Sequence, residues 1–547
     1  MSGTICTSNV TSGFIDLATY DEIEKYLYGG LKATAYFVRE TKKSTWFTQV
    51  PVVLQKTNGV ADFGKEVSFS ITRAGDYLLN TWLRVTLPSI SVGFGFSVSG
   101  FEYNVSCAAM WTPNLMHNLI REATLTANDL VVNRFDNHYL DFWAAFTVSQ
   151  SKAAGYNFMI GNQTSLSTPQ VFIPQQSLNL PLPFFFSRDS GVALPTAALP
   201  YNDLKINLCL APMEDLVTIF EFDGARGDPN DSFVACKNLN TTSCTVELNG
   251  NGPNSNNSSN RSLVNANLFA NYAIVSNDER KRMGCGPRDV LIEQPYKFPA
   301  QDYTPDVVGG NVTYDLRFSH AVKALFFAVR NVTCRTLWSH YGTGLASVDY
   351  DRTATPADLS VGYAGMVNGE GFSYNLGLAQ DNSLLKQCNR SYQYAVDQDP
   401  VAAASLLYEN TSRLANMGGV DYYGQVQPYY HGGAVPNSGN MWSPLSSSTK
   451  DTLSVGGASR VGLHMYSYSL DFMCLDPMGS TNYGKLTNVS LNLVFSDAAV
   501  ASHVEGWFQT QDPGKLTRMK QSYQFVCSAV ANNIVRYSGG ALGFPVL

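Results

Sequence analysis

Charged side chains are scarce in this chain, and so are helical patterns and long hydrophobic runs. Only 15% of the 547 residues are Asp, Glu, Lys or Arg, whereas soluble domains average about 25%. The formal net charge is −7, which argues against direct binding to nucleic acid because that function needs a basic surface. A surface with so few charges must be covered by uncharged polar groups or by partner subunits.

No stretch of the chain reaches the roughly 18 consecutive apolar residues of a membrane-spanning helix. The best candidate, ALFFAV at 324–329, has the length of a buried strand. The N-terminus has neither the basic region nor the apolar core of a secretory signal. We therefore expect a chain that starts near Met1, is not secreted and does not span a membrane.

The ten cysteines lie far apart, with no CxxC pair and no His/Cys cluster of zinc spacing. They are interpreted as reduced cytosolic thiols that serve as small apolar side chains. Cys236 and Cys244 lie close enough in one loop to form a disulfide, and the sequence leaves both states open. Asn-x-Ser/Thr triplets, such as those at Asn240 and Asn331, are interpreted as chance products of an Asn-, Ser- and Thr-rich chain.

Hydrophobic residues alternate with period two through much of the chain, which is typical of strands. Such alternation predicts strands at 66–71, 204–210 and 489–495, while helical patterns occur at 20–29 and 276–284. Clusters of Gly, Pro, Asn and Ser separate the short strands. The sequence therefore predicts an all-β chain of sandwich or jelly-roll domains, because an α/β fold would need long helical crossovers.

Long polar loops interrupt the strand pattern at 227–262, 340–380 and 430–460. Loops of this length are usually functional or disordered, so we expect them to form a surface for contacts. The charged stretch at 277–290 lies between two β-rich halves of similar length. It is therefore the predicted domain boundary.

One motif resembles a nucleotide site but lacks an essential part. GSTNYGKL at 479–486 has the glycines and the lysine of a phosphate-binding loop, but Leu486 stands where a hydroxyl should bind magnesium. A strand pattern follows it, whereas a phosphate-binding loop leads into a helix. We interpret the segment as part of a β structure.

A second motif, SRDSG at 187–191, resembles a hydrolase nucleophile turn but lacks its first glycine. We interpret it as a turn between two strands, in which Asp189 or Ser190 accepts backbone N–H bonds and Gly191 adopts a positive φ. Three phenylalanines at 184–186 precede it. Because successive residues of a strand face opposite sides, at least one ring is expected to pack away from the inner face of its own sheet.

No cluster of titratable residues indicates catalysis, a metal or a cofactor. The seven histidines show no HExxH or HxH spacing and are expected to be hydrogen-bonded structural groups. Asp223 with Asp228, and Asp349 with Asp351, could bind calcium, but no EF-hand spacing supports this and solvated loops are the better interpretation. We expect no catalytic, cofactor-binding or metal-binding residues.

Five segments spread along the whole chain strongly resemble the major capsid protein of iridoviruses and related nucleocytoplasmic large DNA viruses. The segments are TSGFIDLATYDEIEKYLYGG at 11–30, LPLPFFFSRDSGVALPTAALPYNDLKI at 180–206, DLRFSHAVKALFFAVRNVT at 315–333, GSTNYGKLTNVSLNL at 479–493 and NNIVRYSGGALGFPVL at 532–547. The departures fall in loops, at 89–110, 223–262, 340–380 and 430–460. The decoration of the outer surface therefore cannot be carried over from the family.

The resemblance implies a double jelly roll of two tandem eight-stranded antiparallel sandwiches with short helices and long surface loops. Residues 1–35 would be an N-terminal extension, 36–276 the first jelly roll, 277–289 a linker and 290–547 the second jelly roll. The protein would be structural, with no enzymatic activity and no cofactor. It would form a homotrimer, which uses head-to-tail contacts between chains.

The family resemblance also implies partners and a location. The trimer would be a pseudo-hexagonal tile that packs against neighbouring capsomers in an icosahedral shell around an internal membrane and a DNA genome. Residues 1–35 would lie beneath the shell, toward minor capsid proteins and proteins of the internal membrane. The protein would belong to the outer capsid of the virion and assemble in the host cytoplasm, without direct contact to nucleic acid.

Two other interpretations stay open from the residues. A jelly-roll hydrolase acting on glycans would need two carboxylates about 5–10 Å apart in a cleft, which a sequence cannot show. The long outer loops could also bind host surface glycans, and that role is compatible with a shell protein.

Overall fold

The computed structural model describes residues 5–223, 233–248, 261–305, 310–342, 399–435, 462–499 and 521–545, apart from short gaps within these ranges. The chain divides into two compact units, residues 1–46 and 47–547, which are described separately. The first unit contains the helices α1 Ile5–Ala18 and α2 Glu22–Leu27. The Glu24 carboxylate accepts a hydrogen bond from the Asp21 N–H at 3.3 Å and caps the start of α2. The predicted helix at 20–29 is therefore present in a shorter form.

The first half of the second unit is built mainly of strands, with short helices between them. The strands are β1 Phe47–Val53, β2 Gln55–Gly59, β3 Glu66–Ser70, β4 Tyr77–Thr86, β5 Ile90–Val92, β6 Gly95–Ser97, β7 Glu102–Asn104, β8 Cys107–Trp111, β9 Ile120–Ala127, β10 Leu130–Asp136, β11 Phe172–Ile173, β12 Ser177–Pro181, β13 Leu204–Leu210, β14 Val217–Asp223, β15 Phe233–Lys237, β16 Val246–Leu248 and β17 Asn265–Val275. The helices are α3 Leu115–Leu119, α4 Asn137–Thr147, α5 Gln150–Ile160, α6 Thr164–Ser167 and α7 Met213–Leu216.

The second half begins with the predicted helix, α8 Asn277–Gly284, and then returns to strands. The strands are β18 Arg288–Lys297, β19 Gln301–Tyr303, β20 Asn311–Asp315, β21 Ala321–Asn331, β22 Val401–Tyr408, β23 Thr411–Leu414, β24 Leu463–Ser467, β25 Thr481–Asn482, β26 Val489–Phe495, β27 Tyr523–Ser538 and β28 Ala541–Gly543. A π-helical turn, Tyr422–Val426, runs into the helix α9 Gln427–His431.

Each half contains the same arrangement of eight strands in two antiparallel sheets. In the first half these sheets have the orders β1-β17-β4-β12 and β10-β9-β13-β3, and β2 extends the second one. In the second half the corresponding orders are β18-β27-β21-β24 and β20-β26-β22-β23. Counted along the chain, both halves pair the first, eighth, third and sixth strands in one sheet and the second, seventh, fourth and fifth in the other. This is jelly-roll connectivity, and the predicted double jelly roll is confirmed.

The predicted strands have the burial that their alternation requires. β13 alternates strictly, with Leu204, Ile206, Leu208 and Leu210 buried and the residues between them partly exposed. This pattern arises because one face of the sheet packs on the core and the other faces water. β26 departs from strict alternation at Ser490, which is also buried.

β21 is buried on both faces because each face belongs to a different core. Leu325, Phe327 and Val329 point into the core of the second jelly roll. Ala324, Phe326 and Ala328 point the other way and join the core that extends from the first jelly roll. The uninterrupted apolar run ALFFAV is explained by this double burial.

The segment after β12 is a series of turns and not the predicted strand. β12 ends at Pro181, and 3₁₀ turns follow at Phe185–Ser187, Ser190–Val192 and Thr196–Ala198. The prediction of a strand after residue 191 is therefore wrong. The prolines of this segment have no backbone N–H to donate to a sheet.

All three phenylalanines at 184–186 are buried in one core, each at most 1% exposed. The Phe184 ring lies 5.0 Å from the Phe135 ring and 5.6 Å from the Phe186 ring. Phe185 and Phe186 lie in a 3₁₀ turn, which does not alternate side chains as a strand does, so the strand argument for which way each ring faces does not apply here. Asp189 Oδ2 accepts the predicted backbone hydrogen bond, from Gly191 N at 3.0 Å, but Gly191 does not adopt a positive φ.

Candidate functional site

The surface where the two jelly rolls meet combines buried polar groups with a cluster of aromatic rings. One side is the outer face of the β18-β27-β21-β24 sheet. The other side consists of α4 and the turn Phe185–Ser187 of the first jelly roll, which pack on β27 and β18 respectively. We call this surface the roll–roll interface.

Aromatic rings of α4 form the apolar part of the roll–roll interface. Phe142 and Phe146 stack on Phe326 of β21, with ring centroids 6.0 and 5.3 Å apart. The Trp143 ring meets the Phe472 ring edge-on at 6.2 Å. Burying one phenylalanine contributes about 1.5–3 kcal/mol, so this cluster is a substantial part of the attraction between the two rolls.

A buried carboxylate, that of Asp141 on α4, collects hydrogen bonds from both rolls. Its Oδ1 accepts from His117 Nδ1 at 2.7 Å and from Asn114 Nδ2 at 2.9 Å. Its Oδ2 accepts from the hydroxyls of Ser339 at 2.5 Å and Tyr341 at 2.8 Å, which follow β21 in the second roll. Burial alone would raise the pKa of Asp141, but these hydrogen bonds outweigh it and hold that pKa below its usual range.

His138, also on α4, is the second titratable group buried in the roll–roll interface. Its Nδ1 lies 3.3 Å from the Tyr341 hydroxyl, and its ring tilts against that of Trp338. Burial lowers the pKa of His138 to about 4, so the imidazole is neutral at neutral pH.

A buried ionic cluster forms the other polar contact of the interface. Glu293 of β18 accepts from Lys323 Nζ at 2.5 Å and from Arg188 Nε at 2.8 Å. The Lys323 side chain is completely buried and also donates to the Cys474 carbonyl. The Arg188 guanidinium lies 4.4 Å from the centre of the Trp143 ring. Arg188 comes from the SRDSG motif, which therefore supplies a contact between the rolls.

The edge strands β10 and β18 meet beside this cluster and line a cavity of about 510 Å³ that is open to solvent. Gln294 bridges the edges, since its Nε2 donates to the Val132 carbonyl at 2.5 Å and its Oε1 accepts from Asn533 at 2.9 Å. Lys297 Nζ reaches Asp136 Oδ2 at 2.8 Å. These polar contacts hold the register between two strands that share no backbone ladder.

The helix α8 fixes the connection between the two rolls. Arg280 donates two hydrogen bonds to the buried carboxylate of Asp76, at 2.8 and 2.9 Å. Burial would raise the pKa of Asp76, but these bonds and one from the Val275 N–H hold it below its usual value. A bidentate pair of this kind fixes orientation as well as distance.

Sequence reasoning did not identify Asp141, Glu293 or Lys323. Glu293 and Lys323 could have been noticed from the sequence, because each is a charged residue within an apolar strand pattern. A charge buried at such a position needs a partner. Asp141 gives no comparable signal, since its partners come from distant segments.

The structure describes some of the remaining sequence candidates and not others. GSTNYGKL forms β25, a 3₁₀ turn at Tyr483–Lys485 and the approach to β26, with no helix after the lysine. Asn331 is buried and donates to Gln521 Oε1 at 3.0 Å, so the folded chain cannot present it for glycosylation. The Cys236 side chain, Cys244, and the carboxylates of the proposed calcium pairs at 223, 228, 349 and 351 lie outside the described residues.

The described residues contain no group of three His, Cys, Asp or Glu side chains that could hold a metal ion. Within the same residues, no helix is both long and apolar enough to cross a bilayer. His117 bonds Asp141 through Nδ1 and the Tyr156 hydroxyl through Nε2, at 2.7 and 2.8 Å.

Two family models match nearly the whole chain. Residues 35–272 match "Major capsid protein N-terminus", and residues 279–452 and 447–543 match "Large eukaryotic DNA virus major capsid protein". The chain belongs to the major capsid protein family of iridoviruses and other large DNA viruses. This family is structural and not enzymatic, so the hydrolase interpretation is rejected.

Curated relatives cover this capsid chain from end to end. The major capsid protein of Costelytra zealandica iridescent virus is 45% identical and covers 99% of each chain. Those of Lymphocystis disease virus 1 (isolate Darai) and Rana tigrina ranavirus are 39% and 35% identical, again over 99% of each chain. The resemblance stated from the five segments is confirmed.

Solved structures show the same fold at much lower identity. The capsid protein in the PBCV-1 virus capsid matches with a TM-score of 0.60 and 17% identity, over 94% of this chain and 100% of its own. The Faustovirus major capsid protein matches with a TM-score of 0.59 and 11% identity, over 92% of each chain. These similarities concern the fold alone.

Proposed function

We propose that this capsid protein forms homotrimers that tile an icosahedral shell as pseudo-hexagonal capsomers. The observation that carries the proposal is the roll–roll interface. It joins two eight-stranded rolls through a buried ionic cluster, a buried carboxylate network and stacked rings. A pair of rolls held rigidly in this way is a suitable unit for a ring of six rolls made from three chains.

The scarcity of charge supports the same proposal. Only 15% of residues are charged, and subunit interfaces are depleted of charged residues in their central parts. A chain whose surface is largely covered by neighbouring copies is therefore expected to have few charged residues. Neighbouring capsomers are the further partners that this proposal requires.

We also infer the division of the chain. Residues 1–35 are the N-terminal extension, 36–276 the first jelly roll, 277–289 the linker and 290–547 the second jelly roll. The ranges of the two family models, which meet between residues 272 and 279, support this division. The eight principal strands of each roll also end and begin on either side of α8.

The N-terminal extension is proposed to face minor capsid proteins and the internal membrane beneath the shell. Within the first unit, α1 exposes the apolar side chains of Phe14, Ile15 and Leu17, by 68, 61 and 74%. Exposed apolar groups at this density mark a surface for association. The shell would enclose the membrane and the DNA genome, without direct contact between this chain and nucleic acid.

Attachment to host surface glycans through the outer loops is a secondary proposal. Most of the loop residues at 227–262, 340–380 and 430–460 lie outside the described residues, so the proposal depends on their length and polar composition alone. Assembly in the host cytoplasm is proposed on the family membership alone. A glycan array with the purified protein tests the attachment role, and an array without binding rejects it.

The trimer is tested by light scattering of the purified full-length protein after size-exclusion chromatography. The chain has a mass of 59.8 kDa, so a trimer has three times that mass, about 179 kDa. A folded species of 59.8 kDa at every concentration and in every assembly buffer would contradict the proposal.

A further inference from the structure

One sheet of the first jelly roll has an outer face that is exposed to solvent, whereas the corresponding sheet of the second roll is covered on that face. In the second roll, the outer face of β18-β27-β21-β24 is buried, and Phe326 at its centre is completely inaccessible. The corresponding sheet of the first roll is β1-β17-β4-β12. We call its outward side the open face. On it, Val53 is 51% exposed, and Pro181 and Arg84 are exposed as well.

The open face carries an apolar row that crosses all four strands. Val53 lies opposite Phe269, Phe269 opposite Trp82, and Trp82 opposite Pro181. The Trp82 and Phe269 rings stack 5.5 Å apart at 9°. The neighbouring residues on either side, namely Asn80, Asn179, Asn267 and Asn271, are uncharged, and Arg84 is the one charge among these outward positions. An aromatic centre with a polar, nearly uncharged border is typical of a subunit interface.

The intramolecular interface indicates what covers such a face. In this chain the outer face of the second roll is covered by α4, which lies between the fifth and sixth strands of the first roll, β10 and β12. The second roll has a helical segment at the same place in its own strand order, between β23 and β24. That segment is the π-helical turn followed by α9.

The segment Tyr422–His431 presents two aromatic side chains that have no buried environment in this chain. Tyr429 and Tyr430 are each 71% exposed, and their rings meet edge-on at 5.0 Å. By contrast, the aromatic side chains of α4 that serve the intramolecular interface, Phe142 and Phe146, are fully buried. Tyrosine combines a large apolar ring with a hydroxyl that can bond to the surrounding asparagines.

We propose that Tyr429 and Tyr430 of one copy pack on the open face of a second copy, around Trp82 and Phe269. This contact repeats between chains the arrangement that α4 and Phe326 make within one chain. It is a head-to-tail contact, so that a cyclic ring closes with every open face covered. The proposal rests on the proposed trimer and names the surface that forms it.

Charged substitutions on the two sides test the contact in the full-length protein. Tyr429→Asp with Tyr430→Asp adds two carboxylates to one side, and Val53→Asp adds one to the other. Each variant is expected to shift the trimer–monomer equilibrium by at least about tenfold in dissociation constant, because a buried unpaired charge is costly. Sedimentation velocity measures the shift. Tyr201→Asp is the matched control, since Tyr201 is 75% exposed in the first roll and belongs to neither surface.

A second measurement keeps the result independent of folding. A chain that carries both Val53→Cys and Tyr430→Cys should form disulfide-linked trimers under oxidation. When isotopically labelled and unlabelled chains are mixed, mass spectrometry should find peptides in which residue 53 of one chain is joined to residue 430 of another. If the aspartate variants form trimers as readily as wild type, and the cysteine variant gives no such peptide, the proposed contact is overturned. The proposed trimer is then unaffected. A wild-type protein that is only monomeric overturns both.

Discussion

The Arg188 guanidinium and the Glu293 carboxylate form an ion pair from one jelly roll to the other, with Nε and Oε2 2.8 Å apart. Both side chains are largely buried, at 13 and 4% exposed. Because Glu293 also neutralises Lys323, which has no access to solvent, one carboxylate serves two cations at the roll–roll interface. Its removal leaves two largely buried cations without a counter-charge.

Glu293→Gln should lower the free energy of unfolding by about 3–5 kcal/mol, the usual cost of removing one partner from a buried pair. Urea denaturation monitored by tryptophan fluorescence measures this loss. Asp289→Asn is the matched control on the same strand, because Asp289 pairs with Arg536 at the surface, where both side chains are about half exposed. That variant should change stability by less than about 1 kcal/mol. Equal effects of the two substitutions would show that the buried cluster has no special role.

Asp141→Asn should remove stability that depends on pH at the acid end. The folded state holds the pKa of Asp141 below its usual value of 3.8, so the carboxylate stabilises the fold above that pH and this contribution is lost as pH falls through the folded pKa. We expect the variant to be less stable than wild type at pH 7 and the difference to shrink toward pH 2. Parallel acid-unfolding curves for the two proteins would contradict the assignment.

His138 should make stability depend on pH in a second, less acidic range. Its folded pKa is about 4 and its usual value is 6.5, so below pH 6.5 the unfolded chain binds a proton that the folded chain does not. Stability is therefore fully present above pH 6.5 and declines as pH falls to about 4. His138→Gln should flatten the dependence of melting temperature on pH in this window. A slope that is unchanged in the variant would assign it to other groups.

Gly462 should not tolerate a side chain, because the backbone there has φ +85° and a Cβ would lie 2.0 Å from the Tyr341 carbonyl oxygen. Gly462→Ala should therefore destabilise the fold by more than about 1 kcal/mol, from both the strained backbone and the displaced Tyr341 segment. Gly155→Ala is the control, since a Cβ at that helical position meets nothing within 4 Å. It should be neutral or stabilising by up to about 1 kcal/mol. Thermal unfolding of both variants distinguishes the two cases.

The sequence predicted the strands that alternate and the two-part architecture, and it failed where backbone geometry is set by distant contacts. β13 follows its sequence pattern at every position because one sheet face is wet and the other dry. The phenylalanines at 184–186 do not, because the chain leaves the sheet after Pro181 and turns into the core. The prolines of the segment are a local sign that the sheet ends, but they do not indicate where the three rings pack.

The polar residues of the roll–roll interface illustrate a second limit of sequence reasoning. Lys323 could have been noticed as a charge within an apolar strand, but its partner Glu293 lies 30 residues earlier along the chain. Asp141 meets Ser339 and Tyr341 about 200 residues away. Such pairings depend on how the two rolls pack, and that packing is a property of the folded chain as a whole.

Electron cryomicroscopy of the purified full-length protein tests the proposed trimer and its contact in one measurement. We expect a three-fold particle with a hexagonal outline, built of six jelly rolls, in which density for the Tyr422–His431 segment of each chain lies against the β1-β17-β4-β12 sheet of the next. Isolated particles of two rolls, or an assembly in which that sheet faces solvent in every copy, would contradict it.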